Sequence, residues 1–358
     1  MEEAIYLIVM AGGIGSRFWP VSTEEKPKQF LDMLGTGRTL FQQTIDRFQN
    51  LCAPDHMIVV TAEKYTGTVK AQCPELEARN ILAEPCIRNT APCIAYASYK
   101  IWKQNKNALI VVSPADHLIA DRGKFERSIR QGLEFSRSQK ALLTLGIQPR
   151  RPETGYGYIQ MKNKEEEITS VECFREKPDL NTAQSYLADG RFLWNSGIFI
   201  WSAETILHAF RKYAPAISAA FKGGLPFYDT PEEQNYINRI YPDCENISID
   251  YSILEKAEKL FVQKVSFDWS DLGTWSAVWE KSAKTKAGNA VSAVKSHFYE
   301  SSNNIVYVAA GKQVVIQGLN DYIIVEANDS LLICSKKEEQ RIKEFLKAFT
   351  SQDPGYDH

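Results

Sequence analysis

The stretch AIYLIVMAGGIGSRFWPVSTEEKPKQF, residues 4–30, joins a short apolar run to a loop with three glycines, one arginine and two lysines. The apolar run predicts a buried β-strand, and glycines after a strand let backbone N–H groups point at an anion. Arg17 can grip a phosphate with two hydrogen bonds, while Lys26 and Lys28 supply point charges. The stretch therefore predicts a strand followed by a phosphate-binding glycine loop, residues 11–17.

The spacing of the glycines argues against two common phosphate loops. The Walker loop ends in Gly-Lys-Ser/Thr, which is missing here. The dinucleotide fingerprint requires a third glycine where this chain has Phe18, and no acidic residue closes a second strand about twenty residues later. A plain turn with solvated cations is the structural alternative. The combination of glycines with Arg17, Pro20 and the sequence Lys-Pro-Lys favours phosphate binding.

Apolar runs alternate with helical patterns along the first two thirds of the chain. The predicted strands are residues 4–10, 56–62, 108–116 and 141–147, and the predicted helices are residues 39–48, 90–104 and 123–138. This alternation predicts an α/β domain with a mostly parallel sheet. Such sheets bind ligands beyond the carboxyl ends of their strands, where the glycine loop and the sequence Ser-Pro-Ala-Asp-His both fall. Thr90 is the predicted cap of the second helix.

The pattern changes at about residue 285, where short β-type runs separated by Asn, Gly and Asp replace the alternation. We interpret residues 1–284 as a catalytic domain and residues 285–358 as a small β-structured domain, a coil of short strands. Residues 335–349 predict a terminal helix with one apolar face. Because short coiled strands leave edges and apolar faces uncovered, we expect a homodimer.

Composition narrows the class of protein. The chain has 358 residues, of which 44% are hydrophobic and 24% charged, as in a globular protein of two domains. Its net charge of −2 offers no basic field to nucleic acid or to an anionic membrane, and no apolar run reaches membrane-helix length. Seven cysteines and five histidines show no zinc-site spacing, which predicts free thiols in a reducing compartment. We therefore expect a cytoplasmic protein without nucleic-acid or membrane partners.

Several motifs together resemble those of the sugar-nucleotide pyrophosphorylases. Residues 11–30 resemble the signature G-G-x-G-x-R…K-P-K, and the Trp-Pro and Gln-Phe within them resemble the mannose-1-phosphate guanylyltransferase branch. The further matches, in the family's order, are EPCIRNTAP, VVSPADH, GIQPRRPETGYGYI, FREKPD, LWNSGIFIW, SIDYSILEK and WSDLGTW. The resemblance covers essentially residues 5–280. The C-terminal part is similar to the family's short β-structured domain, and we see no cupin-like isomerase domain such as the longer relatives carry.

The resemblance implies a Rossmann-like fold of the glycosyltransferase-A type and the conversion of GTP and α-D-mannose 1-phosphate to GDP-mannose and diphosphate. A sugar phosphate is already largely a dianion at neutral pH, so its attack on the α-phosphorus needs no histidine base. The difficulty is electrostatic, because two polyanions must meet, and Mg²⁺ with cationic side chains would relieve it. Two alternatives stay open: another hexose 1-phosphate or nucleotide, and a non-catalytic regulatory protein that binds GDP-mannose.

Two acidic motifs and the glycine loop supply the predicted catalytic residues. Asp116 follows a buried strand and Asp271 lies in the sequence Trp-Ser-Asp-Leu-Gly, and the resemblance implies that both hold Mg²⁺. Their structural alternatives are a helix cap and a turn residue. Arg17 and Lys28 would stabilise the GTP phosphates, whereas Lys26 is expected to be solvated. The other predicted nucleotide-binding residues are Gly12, Gly13, Gly15, Ser16, Glu84, Asn89 and Thr90.

The sequence leaves the roles of two residues near the predicted base pocket undecided. Glu84 could accept hydrogen bonds from the guanine N1–H and N2 amino group, a donor pair that adenine lacks, or it could be a solvated turn acid. Arg88 is a candidate phosphate contact. The neighbouring Asn89 and Thr90 open a predicted helix, and in the resembling family this segment lies near the nucleotide.

The predicted sugar-phosphate site consists of Tyr156, Gly157, Glu176, Lys177, Asn195 and Asp271. A glycine beside aromatic residues lets the backbone contact a hydroxylated ring. Glu176 can accept hydrogen bonds from sugar hydroxyls, and Lys177 can hold the sugar phosphate. Asn195 can both donate and accept.

Overall fold

The computed structural model describes residues 4–13, 15–292, 295–309 and 311–350, without the side chains of residues 349 and 350. The strands are β1 Ile5–Met10, β2 Met57–Ala62, β3 Ile81–Glu84, β4 Leu109–Pro114, β5 Leu118–Ile119, β6 Leu142–Ile147, β7 Tyr158–Met161, β8 Ile168–Arg175, β9 Phe192–Ser202, β10 Leu260–Val265, β11 Trp269–Ser270, β12 Ala290–Val291, β13 Lys295–Tyr299, β14 Ile305–Tyr307, β15 Gln313–Gln317, β16 Tyr322–Ala327 and β17 Ser330–Ser335.

The helices are α1 Leu40–Phe48, α2 Thr66–Gln72, α3 Thr90–Gln104, α4 Arg122–Gln139, α5 Leu180–Asp189, α6 Ala203–Tyr213, α7 Pro215–Lys222, α8 Glu233–Ile240, α9 Ile249–Ser252, α10 Trp275–Lys281 and α11 Ile342–Thr350. Among the helices of the described ranges, none combines the length and hydropathy that a membrane crossing demands.

The chain forms two compact units. The first contains the chain up to Gly12, Ile45–Ala115 and Ile119–Trp269, and the second contains Gly13–Thr44, Asp116–Leu118 and the chain from Ser270 onward. The chain thus passes from one unit to the other within the glycine loop, within Ser-Pro-Ala-Asp-His and within Trp-Ser-Asp-Leu-Gly. The predicted boundary between residues 284 and 285 stays a prediction, because the compact units group residues 13–44 with the C-terminal strands.

The first unit is built on a nine-stranded sheet with the order β3-β2-β1-β4-β9-β6-β10-β8-β7. All of its strands except β8 and β9 run in one direction, so the predicted mostly parallel α/β sheet is confirmed. Its central strands are continuous apolar runs because helices cover both faces of a parallel sheet. In β1, for example, Leu7, Ile8 and Val9 are fully buried.

Helix α3 covers the core of the first unit and has the predicted bounds, but its predicted cap is wrong. Asn89, rather than Thr90, occupies the cap position, and its side-chain oxygen accepts a hydrogen bond from the Thr90 N–H at 2.9 Å. Asn89 has a φ of +65°, a conformation that asparagine tolerates better than threonine because its side chain is not β-branched.

The carboxyl ends of β1 and β4 lie side by side at the point where the strand order reverses. Met10 pairs with Val60 on one side and with Pro114 on the other, and the Ala115 N–H donates to the Met10 carbonyl at 3.0 Å. In doubly wound sheets this reversal point is the usual ligand-binding edge. The glycine loop and the segment that carries Asp116 both leave the sheet here.

The second unit contains a coil of short strands, as predicted. Strands β12, β14 and β16 are parallel, β17 pairs antiparallel with β16, and β13 pairs parallel with β15. Asn289 and Asn304 are buried between successive turns of the coil, where the Asn289 side-chain oxygen accepts from the Asn304 backbone N–H at 2.9 Å. The predicted terminal helix is a 3₁₀ helix over Lys336–Arg341 that continues as α11.

Candidate active site

Gly13 in the glycine loop has a φ of +89°, in the left-handed region that favours glycine. Gly15 has a φ of +71° and begins a 3₁₀ turn over Ser16–Phe18, in which the Phe18 N–H donates to the Gly15 carbonyl at 2.9 Å. A Cβ atom on Gly15 would lie 2.6 Å from the Cβ of Lys28. Position 15 therefore requires a glycine for two reasons: its backbone is left-handed, and Lys28 approaches it too closely for a side chain to fit.

We expect Gly15→Ala to distort the loop and lower kcat/KM for GTP by about 10-fold or more. The substitution forces a left-handed alanine, which costs about 1–2 kcal/mol, and adds a clash with Lys28. Gly67→Ala in α2 is the matched control, because Gly67 has no positive φ and no described atom lies within 4 Å of an added Cβ. Equal steady-state kinetics for the two variants would contradict this account of the loop.

Arg17 follows Gly15 in the same turn and carries an unsatisfied donor. Its Nε atom is buried and has no hydrogen-bond partner among the residues that the structure describes. A buried donor left unpaired costs about 1–3 kcal/mol, and more when the group is charged. The donor is therefore suited to an anionic ligand, which agrees with the predicted phosphate contact; that contact stays a prediction.

Lys28 lies buried in the second unit and joins the two predicted metal ligands. Its ammonium donates to the backbone carbonyls of Asp271, at 2.8 Å, and Leu272, at 3.2 Å, and pairs with Asp116 Oδ2 at 2.7 Å. An ammonium has three protons, so protein groups use all of them. The structure thus brings Asp116 and Asp271 to one cation. The predicted contact between Lys28 and the GTP phosphates would require Lys28 to release one of these partners.

The Asp116 carboxylate is held in its ionised form. Burial would raise its pKa, but the positive charges of Lys28 and His117 and the hydrogen bond from Lys28 outweigh burial and hold the pKa below its ordinary value. His117 Nε2 lies 3.8 Å from Asp116 Oδ1. An ionised carboxylate oxygen is the kind of hard ligand that Mg²⁺ prefers.

Asp271 lies in a turn that folds around its own carboxylate. Its Oδ1 accepts a hydrogen bond from the Gly273 N–H at 2.9 Å, and a Cβ on Gly273 would lie 2.5 Å from Asp271 Oδ2. Within the described ranges no group of three or more His, Cys, Asp or Glu residues could hold a metal. Mg²⁺ needs only one or two protein carboxylates when phosphate oxygens and water complete its coordination.

Glu84, at the end of β3, is buried in the first unit and accepts a hydrogen bond from the Tyr241 hydroxyl. Burial raises its pKa to about 7, an effect that the Tyr241 hydrogen bond partly offsets. The interpretation of Glu84 as a solvated turn acid is therefore wrong, because its carboxylate is removed from solvent. The interpretation as a guanine acceptor stays a prediction.

The raised pKa of Glu84 predicts a pH-dependent stability. Between the ordinary pKa of 4.5 and the folded pKa of about 7, only the folded state binds the proton, so stability falls as pH rises through this range. Urea unfolding measures this dependence. Between pH 5 and pH 8 the free energy of unfolding of the unsubstituted enzyme should fall by up to about 3 kcal/mol more than that of Glu84→Gln. The exposed Glu204→Gln should retain this dependence, and identical pH dependence in both variants would contradict the prediction.

The segment after Glu84 is held by contacts within the first unit. The Arg88 Nε donates to the Pro242 carbonyl at 3.1 Å, and the Thr90 hydroxyl accepts from the Ile249 N–H at 2.9 Å. Asn89 caps α3. Because these polar groups have protein partners, they position the predicted nucleotide segment against residues 242–249. Direct contacts of Arg88, Asn89 and Thr90 with a nucleotide stay predictions.

Three of the predicted sugar motifs meet in the first unit. The Asn195 N–H donates to the Gly157 carbonyl at 2.8 Å, and the Lys177 N–H donates to the Tyr156 carbonyl at 3.2 Å. A Cβ on Gly157 would lie 2.5 Å from Glu176 Oε2, so a larger residue at position 157 would displace this carboxylate. Five of the six predicted sugar residues therefore form one cluster.

The side chains of this cluster are oriented by their neighbours. The Tyr156 ring packs edge-on against Trp194 and Trp269, with centroid separations of 5.2 Å in both pairs. Lys177 Nζ lies 2.9 Å from Glu176 Oε1. The lysine side chain is 63% exposed, which leaves its ammonium accessible to a soluble phosphate.

Asp250 also joins this cluster, although its sequence context predicts no role for it. The Asn195 Nδ2 donates to Asp250 Oδ1 at 3.0 Å, and the Gly197 N–H donates to Asn195 Oδ1 at 3.1 Å, which together fix the amide orientation. Burial, and then the negative charge of Glu176, raise the pKa of Asp250 to about 6. The only sequence signal was the matched motif SIDYSILEK, in which no single residue stood out.

Comparisons with known proteins identify the family of the chain. Residues 6–288 match the family model described as nucleotidyl transferase, and residues 298–349 match a MannoseP isomerase/GMP-like beta-helix domain. Mannose-1-phosphate guanylyltransferases of Klebsiella pneumoniae and of Escherichia coli K12 are each 35% identical to the chain, over 95% and 97% of it, and the match spans 73% of each relative.

A solved structure gives the same result for the fold. The crystal structure of a mannose-1-phosphate geranyltransferase from Thermus thermophilus superposes with a TM-score of 0.87 at 28% identity. The match covers 97% of this chain and 99% of the other. This chain therefore belongs to the nucleotidyl transferase family, in its mannose-1-phosphate guanylyltransferase branch.

Proposed function

We propose that the enzyme transfers GMP from GTP to the phosphate of α-D-mannose 1-phosphate, which yields GDP-mannose and diphosphate. The observation that carries the proposal is the Lys28 ammonium, which joins Asp116 and Asp271 beside a glycine loop whose Arg17 has an unpaired buried donor. Oriented donors, and carboxylates that can hold a divalent cation, are groups by which proteins stabilise a triphosphate. The names of the relatives supply the sugar and the base.

In the proposed reaction a phosphate oxygen of the sugar attacks the α-phosphorus of GTP in line. A new P–O bond forms as the bond to the oxygen bridging the α- and β-phosphorus breaks, and diphosphate leaves with the electron pair. The attacking phosphate is already ionised, so no protein base is needed. Arg17 would donate to the triphosphate, and the backbone around Gly13 and Gly15 would let its oxygens approach closely.

Asp116 and Asp271 would hold Mg²⁺. The donor set fits in its chemistry, because Asp116 is ionised and both residues carry hard carboxylate oxygens. Lys28 pairs with the Asp116 carboxylate and donates to the backbone carbonyl of Asp271. Bound there, Mg²⁺ would neutralise phosphate charge and so ease the approach of a second anion. The part of Lys28 is to tie the Asp116 carboxylate to the backbone of Asp271 and to offset the charge of Asp116 when the ion is absent.

The sugar would bind to the cluster around Gly157. Glu176 and Asn195 would meet hydroxyl groups, and the exposed Lys177 ammonium would meet the sugar phosphate. On the base side Glu84 stays the candidate acceptor for guanine, and its pKa of about 7 leaves a large ionised fraction at pH 7 or above. GTP, mannose 1-phosphate, GDP-mannose and diphosphate are thus the expected small-molecule partners.

A competition assay tests the substrates. The enzyme is given GTP, ATP, CTP, UTP and dTTP at equal concentration with Mg²⁺ and mannose 1-phosphate, and the nucleotide sugars are separated by mass. GDP-mannose should dominate, and glucose 1-phosphate should compete poorly in a second series. Preferred turnover of another pair would favour the alternative substrate assignment. Binding of GDP-mannose with no turnover of any pair would favour the regulatory alternative.

A homodimer stays a prediction. Four large apolar side chains on β13, β15 and β17 are more than half exposed, namely Tyr299, Val315, Leu331 and Ile333. Exposed apolar side chains on short strands favour association through this coil. We expect light scattering to give twice the mass of the chain, and Val315→Lys with Ile333→Lys to lower it. A monomeric mass for the unsubstituted enzyme would contradict the prediction.

A further inference from the structure

We propose that the C-terminal coil of strands is part of the catalytic machinery, because Asn328 holds the turn that carries Arg17 in position. The proposal concerns contacts within the second unit only. It rests on the proposed function, which supplies the triphosphate that Arg17 would bind. Asn328 is a positioning residue in this account, since it acts on the loop and not on the substrate.

Asn328 lies in the tight hairpin between β16 and β17 and contacts Pro20, which is 308 positions earlier in the chain. Asn328 and Asp329 form the two-residue turn, with φ values of +50° and +59°, as a type I′ hairpin requires. The Asn328 Nδ2 donates to the backbone carbonyl of Pro20 at 2.9 Å. Pro20 follows the 3₁₀ turn that contains Arg17 by two residues. Asn328 therefore fastens the exit of that turn to the coil.

An apolar cluster holds the same turn through Phe18, the last residue of the turn. Phe18, directly after Arg17, is buried and packs edge-on against Trp275 at a centroid separation of 5.1 Å. Trp275 in turn contacts Tyr307 of β14 at 5.6 Å. The remaining fully or largely buried members of this Trp275 cluster are Val21, Met33, Leu40, Leu272, Val278, Ile305, Ile323, Val325, Leu332, Cys334 and Ile342.

These contacts leave the Arg17 backbone little freedom. Arg17 lies two residues after Gly15 and directly before Phe18, and the Phe18 side chain is embedded in the Trp275 cluster. If the hydrogen bond from Asn328 is lost, the segment gains alternative conformations, and the apparent affinity for a ligand falls with the fraction in the competent one. The effect should therefore reach GTP binding and leave the sugar phosphate nearly untouched.

Two substitutions at one position and a control at the next test the proposal. Asn328→Gly keeps a left-handed turn and removes the side chain, and Asn328→Asp keeps the shape and removes the donor. Asp329→Gly makes the same backbone change one residue away from the contact. We expect both Asn328 variants to lower kcat/KM for GTP by about 3- to 10-fold, mainly through KM, with KM for mannose 1-phosphate unchanged. Asp329→Gly should match the unsubstituted enzyme.

Hydrogen exchange supplies a readout that does not depend on activity. The backbone amides of residues 16–22 should exchange several-fold faster in both Asn328 variants than in Asp329→Gly. Equal exchange in the three variants, or equal KM for GTP, would overturn the proposal. A general loss of folded enzyme would lower kcat without changing KM, which also counts against it. Failure of the unsubstituted enzyme to use GTP would reject the proposed function, while the exchange experiment would still decide the role of Asn328.

Discussion

Asp116→Asn is expected to lower kcat for GDP-mannose formation with Mg²⁺ by about 100-fold or more, the scale seen when a charge-stabilising group is lost. The substitution removes a carboxylate that Lys28 and His117 keep ionised. The amide oxygen can still accept a hydrogen bond from Lys28, so the enzyme should remain folded. Initial rates over a range of Mg²⁺ concentrations measure the effect, and higher Mg²⁺ should restore only part of the rate.

Asp121→Asn is the matched control for this substitution. Asp121 caps helix α4, accepts a hydrogen bond from the Lys124 N–H at 2.9 Å and is exposed to solvent. Asparagine caps a helix as well as aspartate does, so the control removes one negative charge from the same part of the chain without a structural effect. Near-normal activity of Asp116→Asn would remove Asp116 from the metal site.

Arg17→Lys is expected to lower kcat/KM for GTP by about 10- to 100-fold. Lysine keeps the positive charge but lacks the planar pair of N–H donors that grips phosphate. The Nε donor of Arg17 is buried and unpaired within the described part of the chain, so its pairing with a ligand should contribute to binding. Steady-state kinetics with GTP varied at saturating mannose 1-phosphate measure the loss.

Lys26→Met provides the comparison for Arg17. Lys26 belongs to the same stretch as Arg17, residues 11–30, and is exposed. We expect its loss to change kcat/KM for GTP by less than about 2-fold. If Lys26→Met and Arg17→Lys had equal effects, the loop would act through its general positive charge. The specific role of the Arg17 guanidinium would then be refuted.

Local patterns predicted the individual elements of the fold well. The predicted helix over residues 90–104 has the bounds of α3, and the predicted strand over residues 141–147 begins one residue before β6. These elements could be predicted because their apolar runs are local features of the sequence, and residues 91–101 and 142–147 are all buried. The pattern places the cap of α3 at Thr90, whereas Asn89 caps the helix, because the φ of +65° at Asn89 leaves no trace in the pattern of apolar residues.

The contacts that build the candidate site could not be predicted from local patterns. Lys28 and Asp271 are 243 positions apart, and the motifs gave their identities but not their hydrogen bond. Asp250 was missed for a similar reason, since its significance comes from the Asn195 amide on a strand distant in sequence. The grouping of the glycine loop with the C-terminal coil depends on Phe18 and Trp275, which look like ordinary core residues in the sequence.

Anomalous diffraction from crystals soaked with GDP-mannose and Mn²⁺, a substitute for Mg²⁺, most directly tests whether Asp116 and Asp271 hold the metal at the proposed active site. The account predicts one strong peak within about 2.5 Å of carboxylate oxygens of both Asp116 and Asp271, with the diphosphate of the ligand beside it. A metal bound away from both aspartates would contradict it. So would GDP-mannose bound at this site with neither aspartate as a ligand of the metal.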